Sequence, residues 1–294
     1  MHQKSILRQL IIPVATVCAV LMLYQTLIWA GLLNASDGIT QWENNVVRAQ
    51  RYLYRSNEPI RLVLVGSSLA NNIKASDIAP NVANLAMAGG ATQTGLEMIR
   101  RDTAQPSILL VEINDTIDRQ EDSKLIASLY DPALYWLRMW VPIFREEYRP
   151  ASVFVSRLRR FSDSESRQLA NRAVANPGLL DAEVARLVAE RNTPFTLERA
   201  ALIRSEAEGI KVRLLILRQA GWRVVLFDLP RDQRIENTTQ QKQVRAMLYE
   251  IFPPDQYEWL PAPPARDWLT QDGLHLIRAD AHDFGQFIYD QLLK

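Results

Sequence analysis

The longest apolar stretch lies at the start of the chain. Residues 9–36 carry no charged side chain, and their apolar heart runs from Leu10 to Leu33. As a helix that heart would measure about 36 Å at ~1.5 Å per residue, enough to cross a ~30 Å hydrocarbon core with some tilt. Gln25 is tolerable in such a span, Pro13 near its start costs little, and Trp29 falls near the far end, where an interfacial indole fits. The alternative is a cleaved signal peptide. Against it, the run exceeds the usual apolar region of roughly 7–15 residues, and Leu33-Asn34-Ala35 is a poor cleavage site. An uncleaved anchor over 10–33 is therefore expected. Lys4 and Arg8 precede it, while Asp37 and Glu43 follow. The positive-inside rule then keeps residues 1–9 in the cytoplasm and exports the rest. In a bacterium this means a single-pass inner-membrane protein with its bulk in the periplasm.

Past the anchor, residues 34–60 read as a polar, helical connector ending in a Ser56-Asn57-Glu58-Pro59 turn. Three short runs rich in Leu and β-branched residues then predict buried parallel strands: Arg61–Val65, Ser107–Ile113 and Trp222–Leu229. Helical spacing marks Thr94–Arg101, Leu197–Gln219 and Arg278–Leu293, with Gly221 placed to close the second. Strands alternating with helices predict an α/β fold over residues 61–294, a three-layer α/β/α sandwich on a parallel sheet. The stretch from about 118 to 200 shows no strand and is expected to be a helical insertion over the mouth of the sheet. It carries Tyr130, Tyr135, Trp136, Trp140, Phe144 and Tyr148, then Arg157, Arg159, Arg160, Arg167 and Arg172. Packing of the insertion on the core is the plain reading of those aromatics. A sugar-stacking platform and a membrane-facing surface are the functional ones.

Composition narrows the chemistry. Among 294 residues, 34 Lys and Arg against 33 Asp and Glu give a net charge of +1, which leaves no broad electrostatic footprint for nucleic acid. The single cysteine, Cys18, lies within the span, so neither an internal disulfide nor a cysteine-rich zinc site is possible. His2, His275 and His282 are the whole histidine complement. His282 is better explained by the surface of the last helix than as a ligand, and no metal or cofactor is expected.

Four clusters remain, at predicted strand ends or in the loop before the last helix. Gly66-Ser67-Ser68-Leu69 follows the first strand, where a serine can stand exposed beside free backbone N–H groups. Asn84–Gly90 follows a short strand and includes Gly89. Val111-Glu112-Ile113-Asn114-Asp115 closes the next strong strand. Asp272-Gly273-Leu274-His275 sets a carboxylate three residues before an imidazole, a spacing that lets the Asp hold the ring's tautomer while the ring reaches a serine. Ligands of open α/β sheets bind at this edge.

Gly66-Ser67-Ser68-Leu69, Gly89, Asn114 and Asp272-x-x-His275 resemble the conserved blocks of the SGNH (GDSL-type) hydrolase superfamily over roughly residues 61–115 and 222–294. The resemblance implies Ser68 as nucleophile, His275 as general base and Asp272 as its orienting group. It implies an oxyanion hole from the N–H groups of Ser68 and Gly89 and the Asn114 side-chain amide. Two positions depart from the family pattern. Ser67 stands where an Asp is usual, leaving two adjacent serines of which Ser68 is matched by Leu69 after it; Glu112 stands where a Gly is usual. With its anchor and insertion, the chain is similar to membrane-tethered periplasmic SGNH proteins of polysaccharide O-acetylation systems. That likeness implies a serine O-acyltransferase or esterase acting on a cell-envelope polysaccharide. The implied partner is a membrane-bound O-acyltransferase or a polysaccharide synthase complex. The competing expectation is a catalytically degenerate domain serving as scaffold or glycan-binding subunit.

Overall fold

A computed structural model describes residues 2–55, 59–102, 107–161 and 177–294. The Ser56–Glu58 part of the predicted turn, Arg167 and Arg172, and the side chains of Arg159 and Arg160 lie outside what is described. The chain forms two compact units, one of residues 1–54 with 127–162, the other of residues 55–126 with 163–294.

The second unit holds the sheet. Its strands are β1 (Leu62–Val65), β2 (Val82–Asn84), β3 (Ile108–Glu112), β4 (Arg223–Phe227) and β5 (Glu258–Trp259). They lie in the order β2-β1-β3-β4-β5, every pairing parallel. Strands enclosed on both faces read as unbroken apolar runs, which is why Leu62-Val63-Leu64-Val65 and Leu109-Leu110-Val111 are fully buried. Alternate side chains serve opposite faces. Leu62, Leu64, Leu110, Val225 and Phe227 join a core with Ile73, Phe284 and Ile288. Phe284 and Ile288 belong to the last helix, Arg278–Leu292, and α4 is the short turn Ala75–Ile78 beside it. On the other face Gly95, in α5 (Thr92–Arg101), sits so close to Val65 that a Cβ there would meet the valine Cγ1 at 2.9 Å. Helices thus cover both faces of the sheet.

Between β3 and β4 the described chain is helical, as the absence of strand patterning predicts: α6 (Ser123–Leu129), α7 (Pro132–Trp140), α8 (Pro150–Phe161), α9 (Pro177–Arg191) and α10 (Leu197–Gln219). Gly221, at φ +96°, ends α10, with its own N–H on Arg218 O and that of Trp222 on Leu217 O. Two short turns of helix, α3 (Ser68–Asn71) and α11 (Gln233–Glu236), and then α12 (Thr239–Ile251) and α13 (Arg278–Leu292) complete this unit.

The first unit contains α1 (His2–Trp29) and α2 (Gln41–Leu53), together with α7 and α8 from the helical stretch above. Residues Ile11–Trp29 of α1 are long and apolar enough to cross a membrane, with a mean hydropathy of 2.1. Thr40 and Glu43 form a reciprocal capping box that starts α2. The aromatics of residues 130–148 are not core: Trp136, Trp140 and Phe144 are exposed, and Tyr130, Tyr135 and Tyr148 half-buried.

Candidate active site

A parallel sheet gathers the carboxyl ends of all its strands at one edge. There β1 gives way to Gly66 and Ser67. Ser67 is the N-cap of α3, its hydroxyl accepting from Leu69 N–H at 3.2 Å, and it is fully buried. Ser68, the next residue, is half-exposed, and its Oγ lies 3.2 Å from His275 Nε2. The structure thereby separates the adjacent serines. One holds the turn together and the other meets the imidazole.

His275 is presented by a tight loop. Thr270 and Leu276 form an antiparallel bridge, Gln271 N–H donates to His275 O, and Gly273 N–H donates to Thr270 Oγ1. Gly273 is at φ +90°, and a Cβ there would meet Ile235 Cδ1 at 2.6 Å, so the turn demands glycine. Within it Asp272 Oδ1 accepts from the N–H groups of Leu274 and His275, at 3.0 and 2.8 Å, while Oδ2 lies 2.7 Å from His275 Nδ1. Burial works against the charge on Asp272, yet these donors outweigh it and hold the carboxyl below its ordinary range. A carboxylate fixed on Nδ1 leaves Nε2 free to take a proton from Ser68.

The remaining expected groups stand nearby in the chain's path. Met87 N–H donates to Gly66 O, which sets the Gly89 loop beside the serine turn. Gly89 is exposed at φ +63°, and among the described residues its N–H meets no protein acceptor. Asn114 is buried; its Oδ1 accepts from Thr116 N–H and its Nδ2 donates to Glu112 Oε1 at 2.7 Å. An amide nitrogen has two hydrogens, so one is committed to Glu112 and one remains.

Glu112 is the residue whose role the sequence did not disclose. Its side chain is fully buried, and Oε2 accepts from Ser67 N–H at 2.5 Å. Glu112 therefore joins the serine turn to Asn114 through one carboxylate. Burial pushes its pKa above the ordinary range despite the opposing hydrogen bonds from Ser67 and Asn114. Gly66 is required for the same reason, because a Cβ on it would run into Glu112 Oε2 and Ala70 Cβ.

A second buried knot ties the ends of β3 and β4. Arg231, with no exposed side-chain surface, donates from Nη2 to Asp228 Oδ1 at 2.6 Å and lies 3.7 Å from Asp115 Oδ1 through Nη1. Asp115 also takes Arg191 Nη1 at 2.8 Å. Burial lifts Asp228 to about 7 against the pull of Arg231. Asp232 N–H, just beyond, donates to Gly273 O and braces the Asp272–His275 turn. His282 is held by Asp77 Oδ1 at 3.2 Å on α13.

Past the ends of β4 and β5 the same edge opens into a groove of about 840 Å³ whose lining includes Lys242, Arg245, Tyr249, Trp259, Arg266 and Trp268. Tyr249 meets Trp259 edge-to-face at 5.0 Å, and the Arg266 guanidinium lies 4.0 Å over Trp268. Neither the protein-family models nor the curated proteins compared with this chain match it.

Proposed function

We propose that the protein is a membrane-anchored SGNH-type serine acyl enzyme that moves an O-acyl group, acetyl being the simplest, on or off a cell-envelope polysaccharide. The observation that carries this reading is the Ser68–His275–Asp272 relay, with contacts of 3.2 and 2.7 Å. Ser68 Oγ attacks the acyl carbonyl carbon as its proton passes to His275 Nε2. The Ser68 and Gly89 N–H groups and the second Asn114 Nδ2 hydrogen serve the oxyanion. Collapse expels the alcohol with the proton from His275 and leaves acyl-Ser68. An acceptor hydroxyl then gives its proton to His275 and takes the acyl group, which restores the serine. Water as acceptor makes the enzyme an esterase, and a sugar hydroxyl makes it a transferase. The groove at the same sheet edge, with its indoles and cations, has the lining of a sugar-chain site.

The charge bias around α1 supports a reading with the enzymatic unit outside the cytoplasm, in the bacterial case in the periplasm on the inner membrane. A membrane-bound O-acyltransferase or a polysaccharide synthase would supply the acyl group or the glycan there. One observation favours a scaffold or glycan-binding role instead: Asn114 already spends one amide hydrogen on Glu112.

The test is p-nitrophenyl acetate turnover by the full chain in detergent. Ser68→Ala and His275→Ala should each lower it by about 10³-fold or more, while Ser67→Ala keeps most of it and melts at lower temperature. A folded wild type without turnover, which also resists a fluorophosphonate probe, would leave the scaffold reading standing.

A further inference from the structure

We propose that residues 127–158 form a wedge that lies in the lipid interface beside the anchor, seating its apolar face among the acyl chains of the outer leaflet. The inference rests on reading α1 as a membrane span, and every contact it uses lies within the first unit.

The contacts fix the depth. Most of α1 is bare, but Gln25 and Ile28 are buried. Gln25 Oε1 accepts from Ile143 N–H at 3.0 Å, and Tyr24 Oη donates to Tyr148 O at 2.9 Å. Gln25 stands one turn before Trp29, the end of the apolar window, so Ile143 is held about 6 Å inside that boundary at ~1.5 Å per residue. Interfacial helices sink their apolar faces about 5–10 Å into the headgroup and acyl boundary.

The surface at that depth suits lipid. Trp136 is 59% exposed, Trp140 69% and Phe144 48%, with Leu134 and Leu137 beside them. No residue of α7 is buried. From Asp131 to Phe144 the only exposed charge is Asp131, which caps α7 by accepting from Leu134 N–H.

Arg138 and Arg145 are turned inward. Arg138 Nη1 donates to Ser128 O at 2.7 Å. Arg145 donates to Arg138 O and Met139 O, at 2.8 and 3.1 Å, and lies 5.0 Å over the Tyr54 ring. Those carbonyls belong to the last turn of α7, which water would ordinarily satisfy. A protein donor on them is what a helix end needs where water is scarce. The charges that flank Tyr148 are paired, Glu147 with Arg51, which also takes Asp37, and Arg149 with Glu43 and Glu146.

The experiment uses the full chain in Cys18→Ser form, reconstituted in vesicles of phosphatidylcholine and phosphatidylglycerol. A nitroxide is placed in turn at Trp140→Cys, Phe144→Cys, Val17→Cys in mid-span and Asp255→Cys on the second unit. Collision rates with oxygen and with a water-soluble nickel chelate give depth. The labels at 140 and 144 should show an oxygen-to-nickel ratio several times that at 255 and below that at 17. A ratio at both sites equal to that at 255, with 17 still in the membrane core, overturns the wedge. So do immobilised labels shielded from both reagents, which would mean that protein covers this face. A water-like ratio at 17 overturns the anchor reading itself and the wedge with it.

Discussion

The helix that follows the Asp272–His275 loop is clamped by one buried carboxylate. Asp77, at the third position of α4, takes Arg278 Nη1 and Nη2 on its two oxygens at 2.5 and 2.6 Å, and His282 Nδ1 at 3.2 Å. Arg278 opens α13 three residues beyond His275, so the clamp decides where the histidine loop enters that helix. The Arg278 hydrogen bonds lead in lowering the Asp77 pKa from 3.8 to about 2, with burial opposing them. At ~1.36 kcal/mol for each pH unit, the displacement is worth about 2.4 kcal/mol. Arg278 is 44% exposed and water screens part of that. Asp77→Asn should therefore cost about 1–2 kcal/mol at neutral pH, a fall in Tm of about 3–6 °C. A depressed carboxyl stabilises the fold above its unfolded pKa and loses that contribution as pH falls through its folded one. The gap between wild type and variant should accordingly be full at pH 7, narrow from about pH 4 and close near about pH 2. Thermal melts of the full chain in detergent, followed by near-ultraviolet dichroism, read it directly. Equal stability at pH 7, or a gap of constant size down to the lowest pH, would refute the reasoning.

Glu112→Gln replaces a carboxylate that receives two donors by an amide with a single acceptor oxygen, so the Ser67 amide proton should move upfield in the proton–nitrogen NMR spectrum. In the wild type the same resonance should titrate above the ordinary carboxylate range, because burial raises the pKa of Glu112, and the variant should show no such titration. Asp272→Asn keeps the size of the side chain but no longer fixes the proton on His275 Nδ1; esterase turnover should fall by about 10²–10⁴-fold with little change in Tm.

Much of the sheet was legible in the sequence because its central strands are enclosed. Leu62–Val65, Ile108–Glu112 and Arg223–Phe227 each fall inside a predicted run, and Leu197–Gln219 ends where Gly221 implied. β5 was not legible: Glu258 and Trp259 are two residues at the sheet's edge, too short to show a period. Polar α12 hid for the opposite reason, since its Thr-Gln-Gln-Lys-Gln start has no apolar stripe. At the site, Asp272 and His275 are three residues apart and could be read locally. Glu112 and Ser67 are not; only the β1–β3 register, Val65 opposite Val111, brings them together. The pairing of Gln25 with Ile143 is likewise tertiary, so the likeness of residues 127–158 to a helical insertion could be seen while their grouping with α1 could not.

The close packing of Gly66 against Glu112 also restricts how this sequence can change over generations. Glu112 reaches from β3 to lie directly beneath the serine turn, against Gly66 and the Ser67 N–H. An Asp at position 67 would bring a second negative charge into the same dry space, where like charges strongly resist joint ionisation. Loss of Glu112 alone would strand the Ser67 N–H without its acceptor. Ser67 and Glu112 are therefore coupled, and changing either one alone weakens the turn that the pair holds.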